Sequence, residues 1–151
     1  MTLLDASILS LCSSQSNHTI AFGPPGRLDS RGVSQGDTNV SVIRTNLGPS
    51  FSLRAIMKSP TEGATVLLNK FLAPQGSGRT PTLLDASEVD GLYQFSYTVE
   101  RVTGPPNLRA ISILAQKGGL LFTLTVVAPE AEWSGEFGTT LTRIASSFHL
   151  R

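Results

Sequence analysis

The stretch LLFTLTVVAPEAEWSGEFGTTLTRIASSF, residues 120 to 148, changes its period in the middle. Its first nine residues can alternate across a sheet. Beyond Pro129, the residues Trp133, Phe137, Leu141, Ile144, Ala145 and Phe148 recur at helical intervals, so that one face of a helix collects them. A strand that runs into a helix within one short segment must fold the helix back onto the sheet. That requirement fixes the fold class from which the rest is read.

Working back toward the N-terminus, LLFTLTVVA is preceded by Lys117-Gly118-Gly119, a tight turn, and by NLRAISILAQ, a second strand. Both strands offer apolar residues in two directions. Leu108, Ala110 and Leu114 oppose Ile111 and Ile113 in the first; Leu120, Phe122 and Leu124 oppose Leu121 and Val127 in the second. Two greasy faces imply a sheet centre covered on both sides. Before the Gly104-Pro105-Pro106 break, LYQFSYTVE sets Tyr93, Phe95, Tyr97 and Val99 against Gln94, Ser96 and Thr98. It follows Asp90-Gly91, a type I′-competent hairpin turn, and a strand over 82 to 88.

The covers are two helices. Ser59-Pro60-Thr61-Glu62 is a helix start: the serine hydroxyl can cap the Glu62 amide, Glu62 can reach back, and proline sits where its missing donor does no harm. Ala64, Leu67, Leu68 and Phe71 then follow i, i+3, i+4, i+7 spacing until Pro74. The second helix spans 136 to 147, with Ser134 as its expected N-cap and Trp133, Phe137, Leu141, Ile144 and Phe148 as its expected core stripe. NVSVIRT, residues 39 to 45, adds a β-branched strand, and His18 to Phe22 a short one. The expectation is an α+β protein, an α/β/α sandwich around an antiparallel sheet. Residues 39 to 151 make the domain, and 1 to 38, rich in Ser and Gly, make an irregular N-terminal segment.

At 151 residues one domain is expected, burying about 68 to 70 % of its extended-chain surface. Forty per cent hydrophobic and 15 % charged residues describe a compact chain. Twelve Lys and Arg against 11 Asp and Glu leave no field for nucleic acid or an anionic membrane, and no apolar run is long enough for a transmembrane segment. No Arg precedes Arg27 and no clean cleavage pattern follows, so no transit peptide is read from the N-terminus. TLLDAS occurs at 2 to 7 and again at 82 to 87, but the flanks disagree, which argues against a repeated module.

Catalytic and ligand motifs are sparse. His18 and His149 are the only histidines, far apart and without neighbours at ligand spacing, and Cys12 stands alone among apolar residues. Ser134 lies in Trp-Ser-Gly, which lacks the leading glycine of a nucleophile elbow. GPPG at 23 to 26 and GSGR at 76 to 79 read as loops, since prolines replace the donors of the first and no helix follows the second. Asp85, Glu88 and Asp90 read as a solvated hairpin end without the spacing of a calcium loop. Glu130, Glu132 and Glu136 read as favourable charges near a helix N-terminus. No catalytic residue and no cofactor-binding residue is assigned, and the metal question stays open.

Taken in order, the motifs NVSVI, S-P-T-E-x-A-x-x-L-L, L-L-D-A-S-E-V-D-G-x-Y-x-F-x-Y, a Gly-Gly hairpin, LFTLTVVAPEAEW and L-x-x-I-A-S-S-F resemble the PsbP domain of oxygenic photosynthesis. The resemblance covers roughly residues 39 to 150. The chain departs from the family's opening aromatic strand and P-x-x-W motif, showing only TIAFGPP without tryptophan. What the resemblance implies is a non-catalytic protein of the chloroplast thylakoid lumen, extrinsic to the membrane. Its partners would be photosystem subunits, in photosystem II at the oxygen-evolving complex or in photosystem assembly, with calcium association implied by the resemblance alone. The alternatives are a Mog1-like adaptor that binds a soluble partner such as a small GTPase, and a small hydrolase using Ser134 or Cys12.

Overall fold

In the computed structural model the described residues are 18–22, 38–72, 75–102 and 107–151. The first copy of TLLDAS, Cys12, the GPPG loop, Pro74 and the Gly104-Pro105-Pro106 break lie outside them. Strands β1 (His18–Phe22), β2 (Asn39–Asn46), β3 (Arg79–Val89), β4 (Leu92–Arg101), β5 (Leu108–Lys117) and β6 (Leu120–Pro129) form one sheet. Its order is β1-β2-β6-β5-β4-β3, and each pair is antiparallel. Helices α1 (Leu53–Met57) and α2 (Pro60–Leu67), the latter continued by a π turn over Leu68–Leu72, lie on one face. A 3₁₀ turn (Glu130–Trp133) leads into α3 (Glu136–Ser146), which covers the other.

Period-2 geometry divides the apolar residues of β5 and β6 between these faces. Ala110, Leu114 and Leu121 join Tyr93, Phe95, Tyr97 and Val99 of β4 beneath α1 and α2. Ile111 and Ile113 sit opposite Val126 and Leu124, and all four pack with Ala128 under Leu141 and Ala145 of α3. Two cores therefore share one two-stranded wall. Each fully buried aliphatic side chain there is worth roughly 1.5–3 kcal/mol of transfer free energy.

The turns match their residues. Asp90 and Gly91 both have positive φ (53° and 78°), the pair a type I′ turn requires, and β3 meets β4 across them. Ser59 caps α2 as expected, its hydroxyl accepting from the Glu62 amide at 3.3 Å, with Pro60 at the first helical position. The short helix α1 was not expected. Its signals are Ser52, whose hydroxyl accepts from the Ala55 amide at 3.3 Å, and a distant one: Gln116 of β5 accepts from the Leu53 amide at 2.6 Å and donates to the Phe51 carbonyl at 2.5 Å. A glutamine on the sheet thus finishes a helix 63 residues away.

Two expectations for α3 are corrected. Ser134 does not cap it; Gly135, at φ 82°, holds the N-cap position, and the Ser134 hydroxyl donates instead to the Ala131 carbonyl at 3.0 Å. The stripe is also rotated. Gly138, Leu141 and Ala145 are buried, whereas Phe137 and Ile144 remain 44 % and 36 % exposed. At 3.6 residues per turn these two lie roughly 70° to 95° from the centre of the buried ridge, on one flank of the helix. The cause is contact at Gly138: a Cβ there would come within 1.8 Å of the Trp133 carbonyl oxygen, so only glycine allows the helix to rest on the turn before it.

Gly138→Ala is therefore expected to destabilise the fold by about 3 kcal/mol, since the obstructing atom is backbone and cannot rotate away. Thr139→Ala on the exposed face is the control, and urea unfolding midpoints read the difference.

Candidate functional site

Trp133 is the residue that brings α3 onto the sheet. Its indole N–H donates to the Arg109 carbonyl at 2.9 Å and reaches the Ala128 carbonyl at 3.3 Å, a pair of residues facing each other across β5 and β6. The Arg109 guanidinium lies 5.4 Å from the ring centre, a cation–π distance. The tryptophan is thus consumed in joining helix to sheet and offers no ring to a ligand. Glu132 accepts from the Thr38 hydroxyl at 2.9 Å, which ties the same corner to β2.

The other residues singled out from the sequence do not converge. His149 is exposed; its Nδ1 lies 2.8 Å from the Ser147 carbonyl, so that nitrogen donates, leaving Nε2 to accept from Arg151 at 3.4 Å. The side chain of His18 and all of Cys12 lie outside the described residues. Asp85, Glu88 and Asp90 are exposed at the β3–β4 hairpin, and Glu136 stands in the first turn of α3. Among the described residues no three His, Cys, Asp or Glu side chains come together at a spacing that could hold a metal ion. Nor is any described helix long and apolar enough to cross a membrane.

Three of the interior polar groups are hydroxyls in a line. The Tyr97 hydroxyl is 3.0 Å from that of Ser112, which is 3.2 Å from that of Thr125, a line across β4, β5 and β6. Ser112 and Thr125 are direct cross-strand partners, and Tyr97 reaches Ser112 diagonally from its place opposite Ala110. Burial raises the Tyr97 phenol above its ordinary 10.0, opposed by its bond to Ser112. Burial also raises Tyr93, helped by Glu88 and opposed by Arg54.

What the surface does offer is a groove of about 570 Å³ along the C-terminal half of α3. Its floor is Phe122 and Leu124 of β6, its walls Ile144 and Phe148, and its rim Lys117, His149 and Arg151. The Lys117 ammonium donates to the main-chain carbonyl of Arg151, which holds the segment after α3 across the β5–β6 hairpin. Arg44 of β2 stands opposite Phe122 in the register and is exposed. The helical spacing that announced this apolar stripe was visible in the sequence; that two of its members would be left at the surface was not.

This fold has relatives. The family model for PsbP matches residues 23–150. PsbP domain-containing protein 7, chloroplastic, of Arabidopsis thaliana is 31 % identical over 139 residues, 87 % of this chain and 45 % of that protein, so the chain spans about half of its relative's length. The solution structure of cyanobacterial PsbP (CyanoP) from Synechocystis sp. PCC 6803 superposes with a TM-score of 0.60 over 88 % of this chain and 82 % of that one, at 20 % identity. A Pseudomonas aeruginosa protein of unknown function, PA94, superposes at 0.51 with 10 % identity, over 92 % and 87 %. The chain belongs to the PsbP family, and its α+β architecture is that of CyanoP.

Both tyrosines have raised phenol pKa values, so the folded state holds their protons more tightly than the unfolded chain does. The stability this lends is complete below pH 10 and is lost as pH rises through the raised values. Absorbance of phenolate at 295 nm is expected to lag, in the folded protein, behind the titration in denaturant. Tyr97→Phe should flatten the fall in unfolding free energy above pH 10.

Proposed function

We propose that this protein is a non-catalytic PsbP-domain protein of the chloroplast thylakoid lumen that supports photosystem II at the oxygen-evolving complex, or assists photosystem assembly, by binding photosystem subunits. The observation that carries the reading is the family match over residues 23–150, joined to the chloroplastic relative at 31 % identity. The chemistry of the described residues is consistent with it. Ser134 and His149 bond to neighbouring backbone carbonyls, and they lie on separate features of the surface with no base beside the serine. Trp133 and the hydroxyls of Tyr97, Ser112 and Thr125 are engaged in packing and sheet cohesion. A body whose candidate nucleophile and base are engaged apart from each other acts by presenting a surface. Calcium, in this reading, is retained by the assembly that the protein joins. No observation favours the GTPase adaptor or the hydrolase.

Fractionation tests the reading. Intact chloroplasts are expected to protect the protein from added protease, thylakoid rupture to release or expose it, and native gels to show part of it moving with photosystem subunits. A protein recovered wholly in stroma or cytosol, unchanged by thylakoid rupture, would contradict the proposal.

A further inference from the structure

We propose that the groove between α3 and β6 is the surface that docks on the photosystem partner, and that the partner inserts an apolar chain segment carrying carboxylates. The inference rests on the function proposed above and adds to it a place and a chemistry.

The apolar component comes from the rotated stripe of α3. Phe137 and Ile144, large and partly exposed, lie seven residues apart on one flank, about 10 Å along the axis. Ile144 lines the groove with Phe122 and Leu124, and Phe137 extends the same helix flank beyond the lining residues. Such a length suits two turns of a helix or about three residues of an extended segment. Among the described residues the other large exposed apolar side chains, Leu84, Val89 and Val102, belong to β3 or follow β4, at the far side of the sheet, and do not line this groove.

The charge is one-sided. Lys117 and Arg151 stand on the rim with His149, Arg44 flanks the floor, and no carboxylate side chain is among the described residues lining the groove. Two described acid clusters lie elsewhere: Glu130, Glu132 and Glu136 surround the opposite end of α3, and Asp85, Glu88 and Asp90 stand at the β3–β4 hairpin, three strand positions from β6 and hence about 14 Å or more away. A chain with a net charge of only +1 is thus locally cationic where it is apolar, which complements an apolar segment with carboxylates. The surface is concave, whereas insertion into a lipid bilayer takes protruding apolar groups, and three cations add only about 1 kcal/mol each at an anionic surface. A protein segment fits both features.

The test uses the full chain and thylakoid membranes washed with salt to remove extrinsic proteins. Binding is measured by co-sedimentation at low and high salt for the wild type, Ile144→Asp, the Arg44→Glu/Lys117→Glu pair, and Val89→Asp as a control at the far edge. Thermal unfolding verifies that each variant folds, and Arg44→Glu alone, which leaves the Lys117 bond to the Arg151 carbonyl in place, separates the effect of charge from the loss of that contact. A photo-crosslinking residue placed at 144 captures what lies in the groove. The expected result is salt-sensitive binding weakened at least tenfold by Ile144→Asp and by the charge reversal, unchanged by Val89→Asp, with cross-links to an acidic, apolar segment of a photosystem subunit. Wild-type binding that neither groove variant changes would overturn the inference and leave the proposed function standing. Cross-links only to lipid, to a second copy of this chain or to its own N-terminal residues would overturn it too, as would equal binding to protein-free vesicles of thylakoid lipids. A wild type that binds the washed membranes no better than a heat-denatured sample would overturn the proposed function, and the inference with it.

Discussion

The β5–β6 hairpin is buried on both faces, and every other element is placed by that constraint. A strand with one apolar face can rest on a single layer, but Ile111, Ile113, Leu124 and Val126 on one side and Ala110, Leu114 and Leu121 on the other require two. The two-residue turn at Gly118-Gly119 sets the register of the pair from Lys117 opposite Leu120 to Leu108 opposite Pro129. A slip of one residue would exchange the faces of a strand and send each apolar set to the wrong cover. Strands β2 and β4 extend this wall on either side, and the edges fall to β1 and β3. The latter carries Pro81 and a register shift between Leu83 and Asp85, both of which discourage pairing with a further strand.

Each cover is attached by a specific polar device and not by apolar contact alone. On one face Gln116 reaches from β5 to the exposed end groups of α1, where a helix has backbone donors without partners. On the other, Trp133 brackets β5 and β6 through their carbonyls while Gly138 lets α3 sit directly on the same turn. The second device has a consequence at the surface. Resting the helix at Gly138 centres its buried ridge on Leu141 and Ala145, which swings Phe137 and Ile144 outward. The groove beside α3 is therefore a by-product of how the helix is anchored.

Most of the architecture was legible because its signals are local. Alternation in β4, doubled apolar faces in β5 and β6, the Asp90-Gly91 turn and the Ser59-Pro60 start each depend on residues a few positions apart, and the structure contains all of them. What escaped is set by distant contacts. Helix α1 is only five residues long and leans on Gln116, 63 positions from Leu53, so periodicity had too few residues to register it. The start of α3 was misassigned to Ser134 because a serine before a helix is a good cap in isolation, whereas Gly135 adopts a backbone that brings the chain round tightly on Trp133. The ordered motifs led to the PsbP family, yet they name no docking residue. The groove exists only when α3, β6 and the segment after Ser146 are brought together.

The proposed function requires the two covers to stay fixed on one wall. Native-state hydrogen exchange reads it amide by amide. The account predicts that the amides of Ile111 to Leu114 and of Leu121 to Val126 exchange only through global unfolding, with the free energy measured by denaturant, while those of α1 open more readily. Exchange of the β5 and β6 amides through a small local opening, faster than global unfolding allows, would contradict it.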